Sequence, residues 1–208
     1  RVDAYLGSLL DGLRERRLLE STNILVVSDH GIASRSPERV IFLDDYVDSD
    51  DALVIDRSPI LALRPKGLGM DSLFARLDGA HPHLQVYRRE EMPERFRFSG
   101  NPRIPPIIGI ADEGWAIGRR DRFKPEWYTG GEHGYDNELP SMHGILIAHG
   151  PAFGAHIEVP AIECIHLYEL MADILGIAPA PNDGRAEATA HMRNTTRVSR
   201  STSATWTN

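Results

Sequence analysis

The chain has 208 residues, a formal net charge of -7 and a single cysteine, Cys164. The acidic charge excludes a broad phosphate-tracking surface for stable nucleic-acid binding, and no apolar stretch reaches the roughly 18 residues that a membrane-spanning helix needs. One cysteine excludes a disulfide framework and a thiolate zinc cluster, so any metal site must use histidine and carboxylate ligands.

The hydrophobic pattern predicts helices that alternate with buried strands. Leucines recur at helical spacing over residues 3–18, which predicts an amphipathic helix. The continuous β-branched run over 23–28 is typical of a strand covered on both faces, as in a parallel sheet. The other predicted elements are strands over 59–63, 84–88, 107–111 and 144–148, and helices over 70–77 and 165–175. A helix followed by a buried strand is half of an α/β repeat, so the predicted fold class is α/β.

The two ends of the chain differ from this pattern. Arg1-Val2-Asp3 opens the chain without an initiator methionine or a leader, which predicts a truncated or processed N-terminus. Residues 185–208 are rich in Ser, Thr, Ala and Arg, with almost no large apolar side chains. This composition predicts a disordered tail over 185–208, after one domain over 1–184.

The first candidate site is Ser28-Asp29-His30-Gly31, at the end of the first predicted strand. Catalytic groups and ligands of α/β sheets gather at the carboxyl ends of the strands. Asp29 and His30 offer a carboxylate oxygen and an imidazole nitrogen to one metal ion, and Gly31 lets the backbone turn without a Cβ clash. The same residues also make a common turn that binds nothing, so the residues alone leave both interpretations open.

Three further groups of histidines leave similar alternatives. Glycines on both sides of His133, within Gly130–Asn137, favour either a tight loop that presents the imidazole or a solvated surface loop. His149 directly follows the last predicted strand, where a structural histidine in the strand-end turn is the simpler interpretation. His81-Pro82-His83 lies in a predicted turn and indicates a surface pair. The chain has no metalloprotease helix motif, P-loop or serine-hydrolase elbow.

Seven collinear segments resemble the nucleotide pyrophosphatase/phosphodiesterase family, the type I phosphodiesterases of the alkaline phosphatase superfamily. These segments are 23–31, 87–96, 101–107, 111–117, 133–137, 148–153 and 165–171. Their order and spacing extend the resemblance over roughly residues 1–184. Seven matches in one order are far more specific than any one of them.

The resemblance implies an alkaline-phosphatase-like three-layer sandwich around a mostly parallel sheet, with two Zn²⁺ ions per intact catalytic domain. Asp29 and His30 are expected to bind the zinc that activates the nucleophile, and His133 is expected to bind the other zinc. His149 has no ligand role in the family pattern. The turn Asp112-Glu113-Gly114-Trp115 is expected to be architectural.

The resemblance also implies that a threonine nucleophile and the remaining zinc ligands lie ahead of residue 1. The chain is therefore predicted to be the C-terminal part of the catalytic domain, incomplete at its N-terminus. No catalytic residue is assigned within it, and the chain alone is expected to be inactive.

The intact protein is expected to hydrolyse phosphodiester or pyrophosphate bonds of nucleotide-like substrates, giving nucleoside 5′-phosphates, in the periplasm or outside the cell. Its expected partner is a nucleotide or another small phosphodiester. A phosphomonoesterase, a phospholipase-C-like enzyme or a phosphonate hydrolase of the same superfamily is an alternative. A non-catalytic binding module that kept the fold is another.

Overall fold

The computed structural model describes residues 1–194, and the chain forms two compact units. The first unit combines Arg1–Asp29 with the part of the chain from Ile145 onward, and the second is the contiguous segment His30–Gly144. One domain over 1–184 was predicted from the sequence, without this division. Both boundaries lie at or next to a predicted strand, 23–28 or 144–148, so no linker segment in the sequence marks them.

The regular elements are three α-helices and ten strands within residues 1–194. The helices are α1 (Val2–Glu15), α2 (Met70–Leu77) and α3 (His166–Leu175). The strands are β1 (Ile24–Val27), β2 (Ala33–Ser34), β3 (Val40–Phe42), β4 (Ala52–Asp56), β5 (Ile60–Pro65), β6 (Leu84–Arg88), β7 (Ile107–Ala111), β8 (Ala116–Gly118), β9 (Gly131–Glu132) and β10 (Leu146–His149). No helix among these residues is long and apolar enough to cross a membrane.

Several predicted elements are confirmed to the residue. α2, β6 and β7 have the predicted bounds of 70–77, 84–88 and 107–111. The helix predicted over 3–18 ends earlier, at Glu15, and the strand predicted over 144–148 begins later, at Leu146. β4 and the short strands β2, β3, β8 and β9 were not predicted.

In the first unit, β1 and β10 form a two-stranded antiparallel ribbon in which Ile24 lies opposite His149. Ser28 extends the pairing by one residue. Its N–H donates to the carbonyl of Ile145 at 3.1 Å, and the Ile145 N–H donates to Ser28 Oγ at 2.9 Å. The two chain segments of this unit are therefore joined by hydrogen bonds at the point where the second unit begins and ends.

The core of the first unit is centred on Phe153, Leu170 and Met192. Partly buried side chains from the ribbon, from α3 and from the connecting segments pack around it: Leu25, Leu146, Ala148, Ala152, Val159, Ile162, Leu167 and Ile174. α3 ends where Gly176 takes a left-handed conformation with φ +67°, which glycine adopts without Cβ strain. α1 is amphipathic in sequence, but it contributes no buried residue.

The strands within residues 1–194 pair mostly antiparallel, whereas the resemblance implies a mostly parallel sheet in the intact catalytic domain. Among the strand pairings within residues 1–194, only that of β3 with β8 is parallel. A continuous apolar run indicates that a strand is covered, but it does not set the direction of the neighbouring strand. In β1, Val27 is 49% exposed, so the run is not covered on both faces either.

The predicted tail over 185–208 is wrong for its first part. Ala186–Met192 form a 3₁₀ helix in which Thr189 and Met192 are buried. The Arg185 N–H donates to Nδ1 of the buried His166 at 3.1 Å, which ties this segment to α3. The buried Met192 side chain and the hydrogen bond to His166 order this segment, although its average composition is that of a disordered tail. Residues 195–208, the rest of the predicted tail, lie outside the described residues.

The second unit is built around a four-stranded antiparallel sheet in the order β4-β5-β7-β6. Alternate residues of β5 face opposite sides, as the pleat requires. Leu61 and Leu63 pack with Leu73 and Leu77 of α2 in the main core. Ala62 packs on the other side, in a smaller cluster with Ile108, Ile110 and Met92.

Two short pairings complete the second unit. β3 pairs in parallel with β8, and β2 pairs antiparallel with β9 so that Ala33 lies opposite Glu132. The second pairing joins chain segments that are about a hundred residues apart. It places the residues after His30 beside the residues before His133.

Replacing Leu73 with alanine tests the main core of the second unit. Leu73 is fully buried on α2, so the expected loss in free energy of unfolding is about 2–5 kcal/mol, the cost of a leucine-sized cavity. Urea unfolding followed by circular dichroism measures it. Ser72→Ala is the matched control, because Ser72 is the preceding residue of the same helix and is exposed. Equal losses for the two variants would contradict the packing of α2 described above.

Candidate metal centre

His30 begins the second unit, and the residue after it is packed tightly against another chain segment. The Gly31 N–H donates to the carbonyl of Met142 at 2.9 Å. A Cβ at Gly31 would lie 2.1 Å from the carbonyl oxygen of Ser141 and 2.8 Å from that of His143. Glycine is therefore required for close approach of two backbones, and its φ is not in the left-handed region. The Ser141 Oγ is buried without a hydrogen-bond partner.

The contact of the His30 ring with the backbone favours one tautomer of the imidazole. His30 Nδ1 lies 2.8 Å from the carbonyl oxygen of Gly31. A carbonyl oxygen only accepts, so Nδ1 carries the proton, and Nε2 of the neutral ring carries the lone pair. Metal-binding histidines characteristically donate their other ring N–H to a backbone carbonyl or a carboxylate in this way. The half-buried His30 is therefore held in the tautomer that an Nε2 metal ligand requires.

His133 lies directly against His30. The two ring centroids are 3.8 Å apart, and the ring planes differ by 14°, so the imidazoles are stacked. His133 follows β9 and precedes Gly134, whose φ of +97° favours glycine. The exposed His133 thus reaches its partner from a loop that turns on both sides of it.

The other predicted site residues are placed as follows. Asp29 is exposed and is the last residue of the first unit's N-terminal segment, one residue beyond the Ser28 pairing. His149 is the exposed last residue of β10, opposite Ile24. Within residues 1–194, no group of three or more His, Cys, Asp or Glu side chains is arranged to hold a metal ion. The structure thus brings His30 and His133 together as a pair of imidazoles, a donor type that suits zinc.

Two arginine–carboxylate pairs flank His133, and neither was predicted from the sequence. Arg35 Nη1 donates to Glu132 Oε2 at 2.6 Å. The Arg95 guanidinium donates to both carboxylate oxygens of Asp136 at 2.5 Å each. This hydrogen-bonded pairing holds the pKa of Asp136 below its ordinary value and raises the pKa of Arg95. The partners are separated by 97 and 41 residues, so no local pattern indicates them.

His81 and His83 form a separate cluster with the turn after β7. His83 Nδ1 lies 2.9 Å from Asp112 Oδ2, and the His83 ring stacks on Trp115 with centroids 4.0 Å apart. Burial, together with the charge on His83, lowers the pKa of His81. The Tyr135 hydroxyl donates to the carbonyl of Trp115 at 3.1 Å. These contacts fit the architectural role expected of the turn that contains Trp115.

Comparison with known proteins identifies similar chains. A family model described as type I phosphodiesterase / nucleotide pyrophosphatase matches residues 1–136. Ectonucleotide pyrophosphatase/phosphodiesterase family member 5 of Homo sapiens is 42% identical over 183 residues, covering 88% of this chain and 38% of that protein. The bis(5′-adenosyl)-triphosphatase ENPP4 of Homo sapiens is 40% identical over 184 residues, covering 88% of this chain and 40% of that protein.

A solved structure is also similar. It is murine ectonucleotide pyrophosphatase/phosphodiesterase 5 in an inactive form with a threonine replaced by alanine, in complex with AMP. Its TM-score is 0.86 at 39% identity, and the match covers 93% of this chain and 51% of that chain. This similarity confirms the predicted α/β fold of the alkaline phosphatase type. The chain spans about two fifths of the length of the curated relatives it matches.

Replacing Gly31 with alanine tests the close approach beside His30. The added Cβ would clash with backbone oxygens, which cannot move aside as a flexible side chain could. The expected loss in free energy of unfolding is about 1–3 kcal/mol, as for other overpacked sites. Gly100→Ala is the control, because a Cβ there meets nothing within 4 Å. Chemical denaturation of both variants measures the difference, and an unchanged Gly31→Ala protein would refute the packing.

Proposed function

The chain belongs to the type I phosphodiesterase/nucleotide pyrophosphatase family, and we propose that it carries part of the machinery for zinc-dependent hydrolysis of phosphodiester or pyrophosphate bonds. Family membership confirms the resemblance predicted from seven sequence segments. The proposed substrates are nucleotide-like, and the proposed products are nucleoside 5′-phosphates. One relative's name, bis(5′-adenosyl)-triphosphatase, and the AMP complex of another support this substrate class.

The observation that carries the proposal is the stacked pair of His30 and His133. These rings come from two of the seven segments that resemble the family, and the resemblance implies that both are zinc ligands. The Nδ1–H bond of His30 to the Gly31 carbonyl supports coordination through Nε2. Imidazole nitrogens suit zinc, and the proposed assignment of His30 to one ion and His133 to the other follows the family resemblance.

Asp29 is proposed as the carboxylate ligand that accompanies His30. Zinc, when bound, lowers the pKa of a coordinated nucleophile and offsets negative charge on the phosphoryl group. The residues of this chain contribute by holding two imidazoles close together in a fixed orientation. A loop that turns on glycines and a backbone packed on Gly31 supply that orientation.

A threonine outside these 208 residues is the proposed nucleophile. The inactive relative, in which a threonine is replaced by alanine, supports this choice. The 208-residue chain alone is proposed to be inactive, because the proposed nucleophile lies outside it and its proposed ligands, Asp29, His30 and His133, are divided between two zinc ions. Structural zinc sites use about four protein ligands, and catalytic zinc sites use about three. The intact protein is proposed to act in the periplasm or outside the cell.

Hydrolysis by the natural full-length protein tests the substrate class. We expect p-nitrophenyl-TMP to be hydrolysed with a higher kcat/KM than p-nitrophenyl phosphate, and chelation followed by zinc addition to abolish and then restore the activity. Release of p-nitrophenolate measures both reactions. A preference for the monoester would favour the phosphomonoesterase alternative. No turnover of either compound would favour a binding module.

Replacing His133 with alanine in the full-length protein tests the ligand assignment. We expect zinc affinity to fall by more than the roughly 10–100-fold that is lost when a residue hydrogen-bonded to a metal ligand is removed. Equilibrium dialysis with metal analysis measures bound zinc independently of turnover. His149→Ala is the matched control, because His149 is also an exposed histidine beside a glycine but lies at the end of β10. Equal zinc content in both variants would remove His133 from the site.

A further inference from the structure

We infer that two arginine–carboxylate pairs, Arg35 with Glu132 and Arg95 with Asp136, are positioning residues that hold His133 against the other imidazole. The metal-binding purpose of that position rests on the proposed function. The positioning itself rests only on contacts within the second unit.

The loop around His133 needs such support because its own backbone is permissive. Gly130 and Gly134 have φ values of +89° and +97°, and Gly131 lies between Gly130 and His133. Glycine loses more conformational freedom on ordering than any other residue, so a loop with three of them is costly to fix. β9 is only two residues long, so its pairing with β2 fixes the backbone just before His133 but does not extend to the residues after it.

Arg35 fixes the part of the loop that precedes His133. Its Nη1 donates to Glu132 Oε2 at 2.6 Å, its Nε donates to the carbonyl of Thr129 at 3.3 Å, and its backbone N–H donates to the carbonyl of Gly130 at 3.0 Å. The side chains of Arg35 and Glu132 are only 22% and 19% exposed, so salt screens this pair less than a surface pair. One residue thus contacts three positions in the four residues before His133.

Arg95 fixes the part of the loop that follows His133. Its two terminal nitrogens donate to the two oxygens of Asp136, and Nη1 also donates to Asn137 Oδ1 at 2.8 Å. A planar guanidinium paired with both carboxylate oxygens fixes orientation as well as distance, which lysine does not reproduce. Asp136 Oδ1 also accepts the Glu138 N–H at 3.0 Å, so the carboxylate organises its own turn.

The two arginines come from different parts of the second unit, and this makes the restraint effective. Arg35 follows β2, five residues after His30, so its pair ties the loop to the chain segment that carries the other ring. Arg95 lies in the 3₁₀ helix Glu94–Phe96, and its guanidinium lies 4.0 Å over the Phe96 ring. Functional groups act efficiently only when supporting contacts hold them within about 0.5 Å.

Nuclear magnetic resonance of the 208-residue chain with labelled histidine tests the inference. We expect a ring-to-ring NOE between His30 and His133 in the unaltered chain, because the rings are stacked at 3.8 Å. Substitution of each histidine in turn assigns the signals. The contact between His81 and His83, whose centroids are 5.7 Å apart in the same unit, is the internal reference.

The double variant Glu132→Gln with Asp136→Asn removes both carboxylates while keeping side-chain size. We expect the His30–His133 NOE to be lost while the His81–His83 contact and the melting temperature of the main transition are retained. The single variants Glu132→Gln and Asp136→Asn decide the question if the double variant does not fold. Arg95→Lys keeps the positive charge but removes the bidentate hydrogen bonding to Asp136. It is expected to weaken the NOE without abolishing it.

Asp121→Asn is the matched control. It breaks the exposed pair of Asp121 with Arg119, whose closest atoms are 2.9 Å apart, and it should leave the His30–His133 NOE intact. A folded double variant that keeps the NOE would overturn the inference, as would an unaltered chain without it. The measurement uses no metal, nucleophile or substrate, so failure of the proposed function would not alter its result.

Discussion

The candidate metal centre depends on the contact between two short backbone segments that are about a hundred residues apart. β2 pairs with β9, and Gly31 packs on the carbonyls of Ser141 and His143 so closely that no Cβ fits. These two contacts bring the chain after His30 against the chain around His133. Without them the imidazoles would lie on independent loops, since neither histidine is part of a helix or a long strand.

The sequence predicted best those elements whose stability is local or whose burial is complete. α2 has its apolar residues on one side and β7 is buried along its whole length, so their bounds followed from the pattern. β2 and β9 have two residues each, too few for any periodicity to be visible. The antiparallel pairing of β1 with β10 was not predictable either, because the partner of a strand depends on distant residues.

The site was predicted unevenly for a similar reason. Asp29, His30 and His133 stand in short motifs that resemble a known family, so the sequence pointed to them. Arg35 and Arg95 carried no such signal, because an arginine that pairs with a carboxylate far along the chain has the same local sequence as a solvated one. The segment over 186–192 shows the same effect, since a few buried residues order it against its average composition.

The second unit is one uninterrupted stretch inserted between two parts of the first, and its points of departure and return are hydrogen-bonded neighbours, Ser28 and Ile145. A tight turn of two to five residues could therefore connect β1 to β10 directly and convert the ribbon into an ordinary hairpin. The second unit is in this sense an insertion between two adjacent positions of the first unit. An insertion of different length at the same positions could leave the register of the ribbon unchanged.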